Sequence, residues 1–181
     1  SRDPYALLGD IWQAWPKQDS NPDLLGNTWA PDVIWNETMG KWCMYLSVNG
    51  DQFRSVIVLL TADHVDGDWT YVGPVVYSGF DESNLWNTDV PKVLELDPKA
   101  DGTVGYDLTR YLSLKDTRIN AIDAAPALCE HGEMWMSFGS WFGGIWMFKL
   151  DPKTGLRDYS VRYPLVKDSS DPYYGVKVAG G

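Results

Sequence analysis

Two stretches of this chain repeat each other, and a repeat constrains architecture more tightly than composition does. "WAPDVIWNETMGKWCMYLSVNG" and "NAIDAAPALCEHGEMWMSFGSW" each open with an Asp preceded by an Ala-x pair and run into an apolar strand. Each then turns through polar residues to a Gly and continues into an aromatic strand carrying Met and Ser. A third strand follows in both, "SVIVLLTADHVDG" and "GGIWMFKLDPKTG", closed by an Asp-x-x-x-Gly turn at Asp63 to Gly67 and at Asp151 to Gly155. A fourth completes the unit, "WTYVGPVVY" in the first and "YSVRYPLV" in the second. The segments are short, rich in β-branched and aromatic residues, and cut by Gly, Asp and Asn, which predicts strands. Helical candidates are confined to "PKVLEL" and "YDLTRYL" within 88–113, where Pro91, Pro98 and the "KADG" turn hold each to a turn or two.

Tandem units of four antiparallel strands predict blades of a β-propeller, in which each sheet buries both faces against its neighbours around a central channel. The chain is accordingly read as all-β. Residues 29–79 and 119–166 form two full blades, with 80–118 as an excursion between them. Residues 1–28 end a preceding blade, and 167–181 approach a following one. Because the first strand of a blade lines the channel, Asp32 and Asp123 are expected at its mouth, in equivalent positions. A carboxylate framed by Ile122 and small apolar residues is costly unless it is paired, so Asp123 is either a structural acceptor or a working group.

Composition narrows the partners. A formal net charge of -10, with 15 Lys plus Arg spread along 181 residues, leaves no concentrated basic face for a nucleic-acid backbone. No run of apolar residues is long enough to span a membrane. Ten Trp and ten Tyr suit a strand-rich core or a surface that stacks on the flat faces of sugar rings. Cys43 and Cys129 both lie in apolar, strand-like runs and are expected as buried free thiols. His64 and His131 sit in polar turns and are expected to face solvent. Asn36 heads an N-x-T triplet of little weight by itself. No metal-ligand spacing, phosphate-binding Gly loop or Gly-x-Ser-x-Gly elbow is present, so neither metal nor cofactor is expected.

The residues that carry the repeat also carry a resemblance. "WAPDVIWN" followed by "GKWCMYLSVNG", then "INAID" followed by "GEMWMSFGSWFGGI", and finally "YYGVKVAGG" resemble, in that order, the five-bladed propeller glycosidases of family 43, and among them the secreted arabinan-degrading enzymes of bacteria. The resemblance implies inverting hydrolysis of α-L-arabinofuranosyl or β-D-xylosyl linkages in plant cell-wall polysaccharide, with a periplasmic or cell-surface location as the other possibilities. It implies three carboxylates: a base that activates water, an acid that protonates the leaving oxygen, and a third that raises the acid's pKa and orients the sugar. Asp123 matches the third. The base would open the blade before "WAPD", and the acid would follow "AGG", so both are expected outside this chain. Asp3, in an Asp-Pro pair like the family's, stands too close to Trp29 for the strands that should intervene. Here Ala124 and Ala125 separate Asp123 from Pro126, where the family has Asp-Pro.

Around Asp123 the candidate sugar contacts are Trp29, Asp32, Asn120, Ser140 and Trp141. Trp29 serves either as a stacking surface or as core. Asp32 accepts backbone amides or touches sugar. Asn120 donates to ligand or to Asp123. Ser140 and Trp141 end a strand where loops border a cleft. With acid and base missing, a complementing protein segment or self-association is expected. Two rival readings stand beside the hydrolase: a non-catalytic carbohydrate-binding propeller fragment, and a retaining glycosidase of the invertase kind.

Overall fold

The structure is a computed structural model, which describes residues 7–8, 27–49, 53–97, 108–112 and 118–180. Asp3 and most of segment 1–28 lie outside the described residues. Among those described, the chain is all-β, with two antiparallel sheets and only short helical turns.

The first sheet is a four-stranded meander in sequence order: β1 (Asn27–Asn36), β2 (Lys41–Asn49), β3 (Ser55–Ala62) and β4 (Thr70–Ser78). The central strand β3, "SVIVLLTA", is buried along nearly its whole length. That is why it reads as a continuous apolar run, with no alternation of polar and apolar residues. The second sheet comprises β5 (Ala125–Leu128), β6 (Met134–Ser140), β7 (Gly144–Leu150), β8 (Ser170–Asp171) and β9 (Gly175–Ala179), in the spatial order β5-β6-β7-β9-β8. Strand β7 alternates strictly and β6 does so up to Phe138, with Met134, Met136, Phe138, Trp146, Phe148 and Leu150 buried. That period of two marks a sheet with one face in the core. A 3₁₀ turn (Leu85–Asn87) and two one-turn helices, α1 (Val90–Val93) and α2 (Thr109–Leu112), belong to the excursion between the sheets.

The sheets pack face to face and are stitched by hydrogen bonds as well as by apolar contact. Tyr45 of β2 donates its hydroxyl to the Gly155 carbonyl at 2.6 Å. Asn36, fully buried, donates Nδ2 to the Pro152 carbonyl at 2.9 Å, and its Oδ1 accepts from the Met39 amide at 3.1 Å. The amide of Tyr77 on β4 donates to the Tyr173 hydroxyl at 2.9 Å. Burial of Asn36 also disposes of the N-x-T triplet, since its amide nitrogen is occupied and sealed from solvent.

Two expectations are corrected. "YSVRYPLV" does not form the fourth strand of the second sheet; β9 does, from residues expected to approach a following blade. The displaced segment makes a single isolated bridge among the described residues, Val166 with Ser170. Its tyrosines explain why: the Tyr163 hydroxyl accepts the Lys149 amide at 2.8 Å, and the Tyr159 hydroxyl donates to Asp89 at 3.0 Å. The segment is therefore held by its side chains, and Pro164 has no N–H for a ladder. Strand β9 can take the place because Gly175, at φ +89°, lies so near β7 that any Cβ would collide with the Met147 carbonyl. Secondly, both cysteines are free, but Cys43 alone is buried; Cys129 is exposed at the turn after β5. Burial pushes the Cys43 thiol up to about 11.

Candidate functional site

The start of β1, the end of β2, the start of β3 and the end of β4 share one end of the first sheet, and the start of β5, the end of β6 and the start of β7 share one end of the second. Backbone bonds and a ring contact between the sheets place these ends side by side. The Asp123 amide donates to Ser47 Oγ at 3.2 Å, and Phe53 meets Phe142 edge to face at 5.7 Å between ring centroids. Trp29, Asn120, Asp123, Ser140 and Trp141 lie at this common end, whereas Asp32, paired with Tyr45, sits midway along β1.

Each sheet enters it through the same kink. Trp29 pairs with Ser47 and Asp32 with Tyr45, so β1 carries one extra residue between them. In the second sheet the Ile122 carbonyl accepts the Gly139 amide at 2.9 Å while Ala125 pairs with Ser137, again leaving one extra residue in the first-strand segment. Such a bulge bends the chain and re-aims a side chain. The residue inside it is left-handed both times: Ala30 at φ +46° and Asp123 at φ +54°. This corrects the expected equivalence of Asp32 and Asp123. The partner of Asp123 in the repeat is Ala30, and that of Asp32 is Ala125, two positions further on.

Asp123 precedes β5 in a segment that is not itself strand. Its residue is exposed, and among the described residues its carboxylate forms no ion pair. Partial desolvation nevertheless holds its pKa above the ordinary carboxylate value. Asp32, also exposed, turns Oδ1 back onto the Val33 amide at 2.7 Å, which commits one oxygen to its own backbone. Asn120 is half-buried, and its side-chain oxygen is enclosed without a partner among the described residues. The Asn120 carbonyl accepts the Ile122 amide at 2.9 Å, closing a tight turn just ahead of Asp123.

The aromatic candidates stand clear of the core. Trp29 is 51% exposed and Trp141 82%. Ser140 Oγ accepts the Phe142 amide at 3.2 Å, so this hydroxyl shapes the β6–β7 turn that holds Trp141 out. Phe142, Phe53, Ser47 and Ser78 were not anticipated. Ser47 and Ser78 did leave a signal, since each is a small hydroxyl beside apolar residues of a strand, which needs a partner when buried. Among the described residues no group of His, Cys, Asp and Glu could hold a metal ion. No helix among them is long and apolar enough to cross a membrane.

The arrangement offers a carboxylate with raised proton affinity, unpaired among the described residues, at the same end of the sheets as two exposed tryptophans. No protein-family model matches the chain. An extracellular endo-α-(1→5)-L-arabinanase of Thermotoga petrophila is 35% identical over 130 residues, covering 71% of this chain and 23% of that protein. The crystal structure of an endo-1,5-α-L-arabinanase from the same organism aligns at 31% identity with a TM-score of 0.52, over 83% of this chain and 27% of its own. A family 43 glycoside hydrolase of Bacillus licheniformis aligns at 27% identity with a TM-score of 0.57, over 96% of this chain and 30% of its own. The chain thus spans between 23% and 30% of the length of these proteins.

Proposed function

Taking as premise that this chain belongs to glycoside hydrolase family 43, we propose that it forms part of a secreted, inverting hydrolase of α-1,5-linked L-arabinan. The observation that carries the reading is the Asp123 carboxyl. Among the described residues it stands unpaired at the common end of two blade-like sheets, with its proton affinity raised and exposed tryptophans at the same end.

Inverting hydrolysis needs an acid and a base about 6.5–9.5 Å apart, so that a water fits beneath the sugar ring. Asp123 is the third carboxyl. Placed beside the acid, its negative charge raises that acid's pKa and keeps it protonated near neutral pH. It also receives hydroxyls of the bound sugar. Trp29 and Trp141 stack on the C–H faces of arabinofuranose units, while Asp32 and Asn120 supply polar contacts to the same sugar. The acid and the base come from protein outside the described residues, so full activity requires a complementing segment or an assembled ring.

The test is sugar release. Reducing ends liberated from debranched arabinan are measured for the chain alone and after addition of the remaining blades of a related arabinanase. Activity on mixing that falls at least about 100-fold in Asp123→Asn supports the reading; the general acid–base contribution has this size. Turnover by the chain alone overturns the placement of acid and base. Binding of arabino-oligosaccharide without turnover in either case favours the carbohydrate-binding reading. A first-formed anomer of retained configuration, seen by proton NMR, favours the invertase-like one.

A further inference from the structure

The segment 119–124 that presents Asp123 belongs to no strand, so its amides need partners that its own sheet does not give. Two come from the other sheet. The Ala121 amide donates to Ser78 Oγ at 2.8 Å, and the Asp123 amide donates to Ser47 Oγ at 3.2 Å. Both serines are fully buried. Ser78 Oγ spends its own proton on the Phe53 carbonyl at 2.6 Å, which fixes the hydroxyl as acceptor towards Ala121.

The second of these bonds falls on the strained residue. A left-handed backbone is disfavoured for a non-glycine residue, and it persists where its surroundings over-determine it. At Asp123 the Gly139–Ile122 bond pins the residue before, β5 pins the residues after, and Ser47 pins Asp123 itself. In the other sheet the position matching Ser47 is Gly139, which has no side chain to offer.

We propose that Ser47 is a positioning residue for Asp123: its buried hydroxyl, reaching across from the neighbouring sheet, holds the Asp123 amide and so fixes the left-handed turn that aims the carboxylate at the common end of the sheets. Its bearing on catalysis rests on the function proposed above. Ser78 anchors the same segment two residues earlier. The aim of the carboxylate is thereby tied to the packing of one sheet on the other. Without Ser47 the amide loses its partner, and the turn can relax towards negative φ, carrying the carboxylate away from the common end of the sheets.

The test uses the full chain and reads two NMR signals, exchange of the Asp123 amide and pH titration of its carboxyl carbon. In the parent protein the Asp123 amide is expected to exchange at least tenfold more slowly than exposed loop amides. In Ser47→Ala this protection is lost and the titration midpoint drops towards the ordinary carboxylate value, while Ala121 stays protected. Ser47→Thr, which keeps the hydroxyl, restores both signals. Ser47→Cys, similar in volume but a poor acceptor, replaces Ser47→Ala if the latter does not fold. An unprotected Asp123 amide in the parent, or unchanged signals in folded Ser47→Ala or Ser47→Cys, overturns the proposal. Neither signal depends on turnover, so a chain that shows the expected changes but neither binds nor cleaves arabinan retains the positioning and loses the function.

Discussion

At the scale of single residues, Asp123 combines an unfavourable backbone with a carboxyl that gives up its proton reluctantly, and the two have separable consequences. Its pKa is raised by partial desolvation on folding. The folded state therefore binds the proton more tightly than the unfolded chain does. The resulting stabilisation is complete in acid, below the unfolded value near 3.9, and is lost as pH rises through the folded value. Asparagine cannot ionise, yet it tolerates the left-handed region about as well as aspartate. Urea midpoints from pH 3 to 8 should accordingly favour Asp123→Asn by a margin that grows from acid towards neutrality and then levels off. The gain is small, because the residue is exposed and water screens the charge. Asp123 was legible in the sequence as an isolated acid in an apolar frame. Its conformation was not, because the matching left-handed residue is an alanine, and nothing in an alanine side chain announces positive φ.

Among the elements, the meander of the first sheet and the β6–β7 hairpin were readable from period and composition, whereas the outer edge of the second sheet was not. "YSVRYPLV" has the composition of a strand, but its tyrosine hydroxyls bind across to Lys149 and Asp89 in place of a backbone ladder. The edge is built around Asp171, a fully buried carboxylate that no sequence pattern singled out. Asp171 Oδ1 accepts the amides of Tyr173 and Tyr174 at 2.8 and 2.9 Å and the Tyr111 hydroxyl at 3.2 Å, while Oδ2 accepts Arg110 Nε at 2.6 Å. One side chain thus ties α2 to the β8–β9 turn. Removing one partner of a buried, hydrogen-bonded pair costs about 3–5 kcal/mol. Asp171→Ala should lose stability of that order in chemical denaturation. Asp171→Asn, which still offers one carbonyl oxygen, should lose less.

Across the whole molecule, the bonds that join the two sheets decide whether they melt together. Tyr45, Asn36, Tyr77 and the two serines all reach from the first sheet to the second, and a shared apolar core lies between them. Tyr45→Phe removes a buried hydroxyl whose loss leaves the Gly155 carbonyl unpaired, at a cost of about 1–3 kcal/mol. Because the bond spans both sheets, tryptophan fluorescence and far-ultraviolet circular dichroism should move to lower denaturant together. Separate transitions would mean that the sheets unfold independently. The common end where Ala30 and Asp123 lie carries a further consequence. A left-handed kink opens both leading strands, so position 30 is a second mounting point of the same left-handed kind, and an aspartate grafted there would hand the first sheet a copy of its neighbour's acidic group.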